Sequence, residues 1–277
     1  MQLALNGATT MSSGLPKDIA AARSAGFSGL EIWAAKMDAF LETHSLQELK
    51  TLFRDADLHP VSINSIEFIT FRPPNEYEQI RARCRQLCEL GQSLGCARIV
   101  VVPSPTPEGA TWDGIRAESV RVLNDLADIA SAYNASLAFE FLGFSWCSVQ
   151  TLSQCWEIVR EVGRNNVGLV IDTCHFFAGG SEMASIRQVE PQKVFILHIN
   201  DVEDRPRETI EDAHRLLPGE GVIPLDDILI RLKHIGFDGL CSVELFRPAY
   251  WKRDPMELAA AARAAALDVL QTYFSVV

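Results

Sequence analysis

Short apolar or β-branched runs alternate with amphipathic stretches along the whole chain. The runs that predict strands are Leu3–Asn6, Gly29–Trp33, Pro60–Asn64, Arg98–Val102, Leu137–Phe141, Gly168–Asp172, Val194–Ile199 and Cys241–Leu245. Each is short and bounded by Gly, Pro, Asn or a polar cluster, as strands are. Continuous runs such as IVVV at Ile99–Val102 suit a parallel sheet covered on both faces. The segments between them carry apolar residues at helical spacing. Leu46–Ala56 sets Leu46, Leu49, Leu52 and Phe53 on one stripe behind a His44–Ser45 cap region. Glu76–Leu94, Trp112–Tyr133, Ser153–Val162 and Pro224–Ile235 repeat the pattern, and Pro255–Phe274 is Ala-rich with a proline suited to a first helical turn. Gly26, Gly95 and Gly236 each close a predicted helix just before a strand, where glycine takes the left-handed cap.

Eight strands alternating with helices predict an α/β fold, the (β/α)8 TIM barrel, spanning residues 1–277 as one domain. No linker or low-complexity segment divides the chain. An open doubly wound sheet would be expected to carry a glycine-rich phosphate loop, and neither GxGxxG nor GxxxxGK occurs.

Composition narrows the function. With 25 Lys and Arg against 36 Asp and Glu, the formal charge is -11. Nucleic acid and anionic membranes call for basic patches, so neither is an expected partner. No apolar run approaches the ~20 residues of a membrane span, and the N-terminus lacks the pattern of a secretory leader. Seven scattered cysteines, with only Cys84 and Cys88 close together, read as reduced thiols used as small hydrophobes. A cytoplasmic location is the expectation.

In a barrel, chemistry gathers at the C-terminal ends of the strands. Glu140 closes Leu137–Phe139, Asp172 closes Gly168–Ile171, His198 closes Val194–Leu197 and Glu244 closes Cys241–Val243. Strands five to eight therefore each end in a side chain able to hold a metal. Crowding three carboxylates and an imidazole at one rim is costly unless a cation neutralises them. The set suits one divalent ion, zinc or manganese first, with magnesium or cobalt as further options. His175 follows Asp172 by one helical turn. Arg215 precedes a Gly-flanked turn and supplies a cation able to polarise a substrate oxygen. Asn6, Glu31, Trp33, Asn64 and Ser65 lie at the earlier strand ends, with Asn6, Asn64 and Trp33 expected to contact substrate. His44, His59 and His234 read as surface or packing residues.

The ordered set of Glu140, DxxH at Asp172–His175, HxxD at His198–Asp201, RxxPGxG at Arg215–Gly221 and Glu244 resembles the xylose-isomerase-like barrels. These comprise sugar isomerases, epimerases and endonuclease IV. The strings HINDVED and SVELFRP resemble the inosose isomerase branch in particular. The resemblance implies metal ligation by Glu140, Asp172, His198 and Glu244, and substrate contact by His175 and Arg215. It implies proton transfer by Glu140 and Glu244 through an enediolate, from 2-keto-myo-inositol to 1-keto-D-chiro-inositol. A small polyol or sugar is then the expected partner, with a homo-oligomer as an option.

One departure stands out. Ketose 3-epimerases usually carry a second glutamate six residues after the first ligand, where this chain has Trp146. Endonuclease IV needs further zinc-binding histidines at the third and fourth strands, where this chain has Asn64–Ser65 and Val102–Pro103. Asp212, His214 and His175 could mimic part of one further zinc site. Hydroxypyruvate isomerase, a ketose epimerase, an inosose dehydratase and a non-catalytic binding barrel are the remaining alternatives.

Overall fold

The computed structural model describes residues 1–277. Eight parallel strands close into a barrel: β1 (Gln2–Asn6), β2 (Gly29–Trp33), β3 (His59–Ile66), β4 (Arg98–Val101), β5 (Ser136–Glu140), β6 (Val167–Asp172), β7 (Val194–Ile199) and β10 (Leu240–Val243). The two intervening strands, β8 (Asp201–Val202) and β9 (Arg215–Leu216), pair with each other in a separate antiparallel ribbon. The barrel strands match the predicted runs to within a residue or two at each end. The helices are α1 (Leu15–Ala25), α2 (Ala34–Leu41), α3 (Leu46–Asp55), α4 (Pro74–Leu94), α5 (Trp112–Ser131), α6 (Leu152–Val162), α7 (Thr173–Ala178), α8 (Leu225–Ile235) and α9 (Pro255–Leu270).

Of these, α2 and α7 were not anticipated as helices, and α1 was anticipated only at its closing Gly26. Their physical reasons differ. α1 is rich in alanine, so its apolar stripe is faint. α2 starts directly where β2 ends and lacks a side-chain cap. α7 is six residues long and almost wholly buried, so no amphipathic period shows. The predicted caps are present, with Gly26, Gly95 and Gly236 at φ of 86°, 74° and 89°. Ser45 and Glu48 form a capping box on α3, as Thr151 and Gln154 do on α6.

The period-two alternation sorts each strand into two faces. Leu3, Leu5, Ile99, Val101, Leu137, Phe139, Leu169, Ile171, Leu197, Ile199, Cys241 and Val243 face outward into the large core under the helices. Ala4, Val61, Val100, Ala138, Val170, Ile196 and Leu240 form a second, smaller core inside the barrel. Two residues further along the same inward face of β5, β6 and β7 come Glu140, Asp172 and His198. The parity that fills the barrel thus also aims the polar residues into its mouth. At the opposite end, the N-terminal ammonium donates to the Ser275 carbonyl at 2.7 Å and pairs with Asp238 at 2.8 Å, tying the chain ends beneath the barrel. All seven cysteines are free and buried, and no helix is long and apolar enough to cross a membrane.

Candidate metal centre and active site

Glu140 is the last residue of β5, Asp172 the last of β6, His198 the fifth of β7, and Glu244 follows β10 directly. Their potential ligand atoms all lie within 4.8 Å of one another, and all four residues are buried. Nδ1 of His198 faces the three carboxylates, at 2.9 Å from Glu140 Oε1, 3.2 Å from Glu244 Oε2 and 4.0 Å from Asp172 Oδ2. Glu31, Glu140, Asp172 and Glu244 are four buried carboxylates facing one guanidinium, Arg215, and one imidazole. That deficit of positive charge, with three oxygen donors and one nitrogen donor converging, fits a divalent cation.

The electrostatics carry the same strain. Burial, reinforced by Glu244 and Asp172 and opposed by His198, pushes Glu140 up to about 8. Burial also raises Glu244, even against His198 and Arg215. Burial works against ionisation of Asp172, but the Arg215 guanidinium and other positive neighbours outweigh it and hold the carboxyl well below its ordinary range. Burial disfavours the His198 imidazolium, yet the carboxylates of Glu244, Glu31 and Glu140 hold its proton far above the ordinary histidine range.

Asp172 has a second task. It is the N-cap of α7, and its Oδ1 accepts from the His175 backbone N–H at 2.8 Å. A cap bonds three residues ahead, which accounts for the DxxH spacing: it sets His175 one turn above the ligand. Asp172 Oδ2 accepts from Asn200 Nδ2 at 2.8 Å and from Arg215 Nη1 at 2.5 Å. Arg215 reaches the rim because the β8–β9 ribbon folds its segment back over the barrel mouth. It is fully buried, pairs also with Asp212 at 2.9 Å and Glu244 at 3.3 Å, and stacks over Phe246. Its Nη2 lies 3.0 Å from His175 Nε2. A guanidinium only donates, so His175 Nε2 accepts and the ring proton sits on Nδ1. Burial, opposed by Asp172 and helped by Arg215, lowers His175 to about 4, which keeps it neutral. Asp201, buried in the ribbon, accepts from the Gly219 and Ile223 N–H groups and so pins the PGEG turn.

A cavity of about 240 Å³ opens above these residues. Trp33, Asn64, Glu140, His175, Arg215 and Glu244 line it, so six of the predicted residues meet in one place. Of the four clustered residues, Glu140 and Glu244 reach the cavity wall, while Asp172 and His198 lie behind. Asn6 does not line the cavity. Its Nδ2 donates to Glu244 Oε1 at 3.0 Å and its Oδ1 accepts from the Ala8 N–H, so it stands behind the glutamate and not beside a ligand. Asn64 Nδ2 donates to the same Glu244 oxygen at 2.9 Å. His214 accepts from the Glu211 N–H, and Asp212, His214 and His175 do not gather into a second metal cluster. His44 packs against Phe40.

Sequence reasoning missed the apolar walls. Phe68, Phe144, Trp146 and Phe246 complete the cavity from three loops, with Phe68 and Phe144 each packed against Trp146. It also missed that Glu31 meets His198 and that Asn200 holds Asp172. The parity of β2 placed Glu31 inward, which was the available signal for the first; loop residues give no such signal.

Comparison with known proteins agrees with this geometry. A family model described as "Xylose isomerase-like TIM barrel" matches residues 19–270. The inosose isomerase of Bacillus velezensis is 38% identical over 276 residues, covering 99% of each chain. The inosose isomerase of Bacillus subtilis is 38% identical, covering 99% of this chain and all of that one. Among solved structures, that of the IolI protein with a binding zinc atom superposes with a TM-score of 0.97 at 38% identity. It covers 99% of this chain and all of its own.

Proposed function

The chain belongs to the xylose isomerase-like TIM barrel family, in the branch that holds the inosose isomerases, and from this we propose that it is a metal-dependent isomerase of a cyclic polyol ketone. The reaction is the conversion of 2-keto-myo-inositol to 1-keto-D-chiro-inositol. The observation that carries the reading is the buried cluster of Glu140, Asp172, His198 and Glu244 at the floor of the cavity. We take residues 1–277 as one domain whose free, buried cysteines suit the reducing cytoplasm.

Those four residues would hold the ion. When bound, a divalent cation acts as a Lewis acid that stabilises negative charge developing on the substrate oxygens. The chain does the rest. Isomerisation moves a proton from the carbinol carbon to the neighbouring carbonyl carbon, while the hydroxyl proton passes to the former carbonyl oxygen, so a base must stand against those two carbons. Glu140 and Glu244 are the two clustered carboxylates on the cavity wall, and they take and return that proton. Asn6 and Asn64 hold Glu244 by Oε1, leaving Oε2 toward the cluster. Arg215 and neutral His175 offer N–H groups to substrate oxygens in a dry setting where such contacts are strong. Trp33, Phe144 and Phe246 give the C–H faces of a ring an apolar wall and exclude water.

The test is an NMR assay of zinc-loaded protein with 2-keto-myo-inositol in D₂O beside an EDTA-treated control. A new inosose of unchanged skeleton, bearing deuterium at the transferred position only with metal, is expected. Loss of water would convert the reading to a dehydratase. No exchange in folded, loaded protein would remove this substrate.

A further inference from the structure

One buried carboxylate has no place in the proton transfer. Glu31, in β2, is fully buried inside the barrel. Its Oε2 lies 3.0 Å from His198 Nε2. It is flanked by Ser62 on the neighbouring strand and by Ser242 of β10, the residue in register with His198. The other oxygen, Oε1, and both serine hydroxyls are buried with no hydrogen-bond partner at normal distance. No lysine or arginine pairs with this acid; His198 is its one basic contact.

An isolated buried carboxylate is expensive, and such groups persist where a partner makes use of them. The partner here is the single nitrogen ligand of the cluster. The imidazole is gripped from two sides. Nδ1 points at Glu140, Glu244 and Asp172, and Nε2 points at Glu31. One nitrogen thus faces the three clustered carboxylates and the other a carboxylate one layer below.

We propose that Glu31 is the positioning residue of the metal centre. It holds the proton of His198 on Nε2, fixes the ring plane, and thereby presents Nδ1 as the lone pair that binds the ion. A carboxylate behind a metal-bound imidazole sets its tautomer and raises its basicity, and losing such a partner costs roughly 10- to 100-fold in metal affinity. Glu31 does not line the cavity, so it is not a catalytic residue. Its effect reaches the substrate through the ion alone. This assignment rests on the metal-centre reading of the four clustered residues.

Two measurements test it. The first uses the unaltered protein: ¹⁵N NMR of histidine-labelled, zinc-loaded chain. The expected signature is a His198 ring with zinc on Nδ1 and a retained, slowly exchanging proton on Nε2. Zinc on Nε2 would overturn the proposal. The second is zinc affinity, by competition with a chromophoric chelator, for Glu31→Gln and Glu31→Ala. Glu31→Gln keeps an acceptor but loses the charge, and is expected to weaken zinc at least about 10-fold; Glu31→Ala should lose more, roughly 100-fold. The cobalt-substituted spectrum should shift in both, while Ser62→Ala leaves affinity within about threefold. A folded Glu31→Gln protein with unchanged zinc affinity and cobalt spectrum would overturn the proposal. Failure of the unaltered protein to bind zinc would overturn this proposal together with the metal centre. Normal zinc binding with an indifferent Glu31 would overturn this proposal alone.

Discussion

Strands β5, β6, β7 and β10 bring Glu140, Asp172, His198 and Glu244 to the rim, whereas β1 to β4 bring Asn6, Trp33 and Asn64 and leave β4 apolar there. One half of the rim is ionisable; the other is amide and apolar. The difference shows how the site is held. Neutral amides from β1 and β3 reach across and grip Glu244, both at the same oxygen. Trp33 packs edge-on against Phe246, two residues past that ligand, with ring centroids 5.5 Å apart. The neutral half thus fixes the charged half without adding charge. Glu31 breaks the pattern one layer down, out of reach of substrate, and Glu67, just past β3, breaks it on the cavity wall.

Removing charge from the ionisable half should have the largest effect, and with opposite signs on two observables. Glu140→Gln keeps shape but takes away a ligand and a base. Turnover is expected to fall by about 10³-fold or more, within the range of a lost general base. The metal-free protein should melt at the same temperature or higher, because a neutral amide avoids the cost of burying a charge there, beside Glu244 and Asp172, that lifts Glu140 to about 8. Stopped activity with a lower melting temperature would mean that Glu140 is needed for the fold, and the contrast between the halves would lose its meaning.

Acid should act on the same half with a smaller effect. Without metal, Glu140 holds a proton up to about 8, and the carboxylates around His198 raise its proton well above the ordinary histidine range while burial raises Glu244 as well. Zinc must displace the Glu140 proton and the Nδ1 proton of His198. Affinity therefore rises with pH, and zinc releases more protons below pH 8, where Glu140 still carries one, than above it. Titration calorimetry in buffers of unlike ionisation heat reads that number directly. Uptake of zinc without proton release would contradict the charged state assigned to the cluster.

The ionisable half was legible in the sequence, whereas in the neutral half the positions were legible and their contacts were not. Glu140, Asp172 and His198 each end a clear apolar run, and parity carries the side chain inward, so position in the strand implied position in the site. Asn6 and Asn64 end strands equally well, but nothing in a sequence tells whether an amide turns to a ligand or to a neighbouring carboxylate. The eight barrel strands were legible because continuous apolar runs are unmistakable. α7 was hidden because both of its faces are buried. The β8–β9 ribbon was hidden because two-residue strands have no period. Phe68, Phe144 and Trp146 sit in loops, where only the folded chain decides which aromatic faces the cavity.

The smallest expected effect is also the sharpest probe of the contrast between the halves. Asn64→Ala removes one of two amide donors from Glu244 Oε1. A charge-assisted hydrogen bond is worth about 1.5 kcal/mol, or roughly tenfold, so zinc affinity should fall by about that factor or less while Asn6 remains. Asn6→Ala should do the same from the other strand. Because Glu244 is buried, deleting both amides leaves that oxygen with no donor, and the loss should exceed the sum of the single losses. The cycle is read by zinc competition on all four proteins. If the neutral half fixes Glu244 as a unit, the coupling is positive and both single variants keep most of their turnover. Strict additivity would mean that each amide acts separately. A large loss of turnover in Asn64→Ala with normal zinc affinity would move Asn64 from the support of Glu244 to direct contact with substrate, the role its place on the cavity wall also permits.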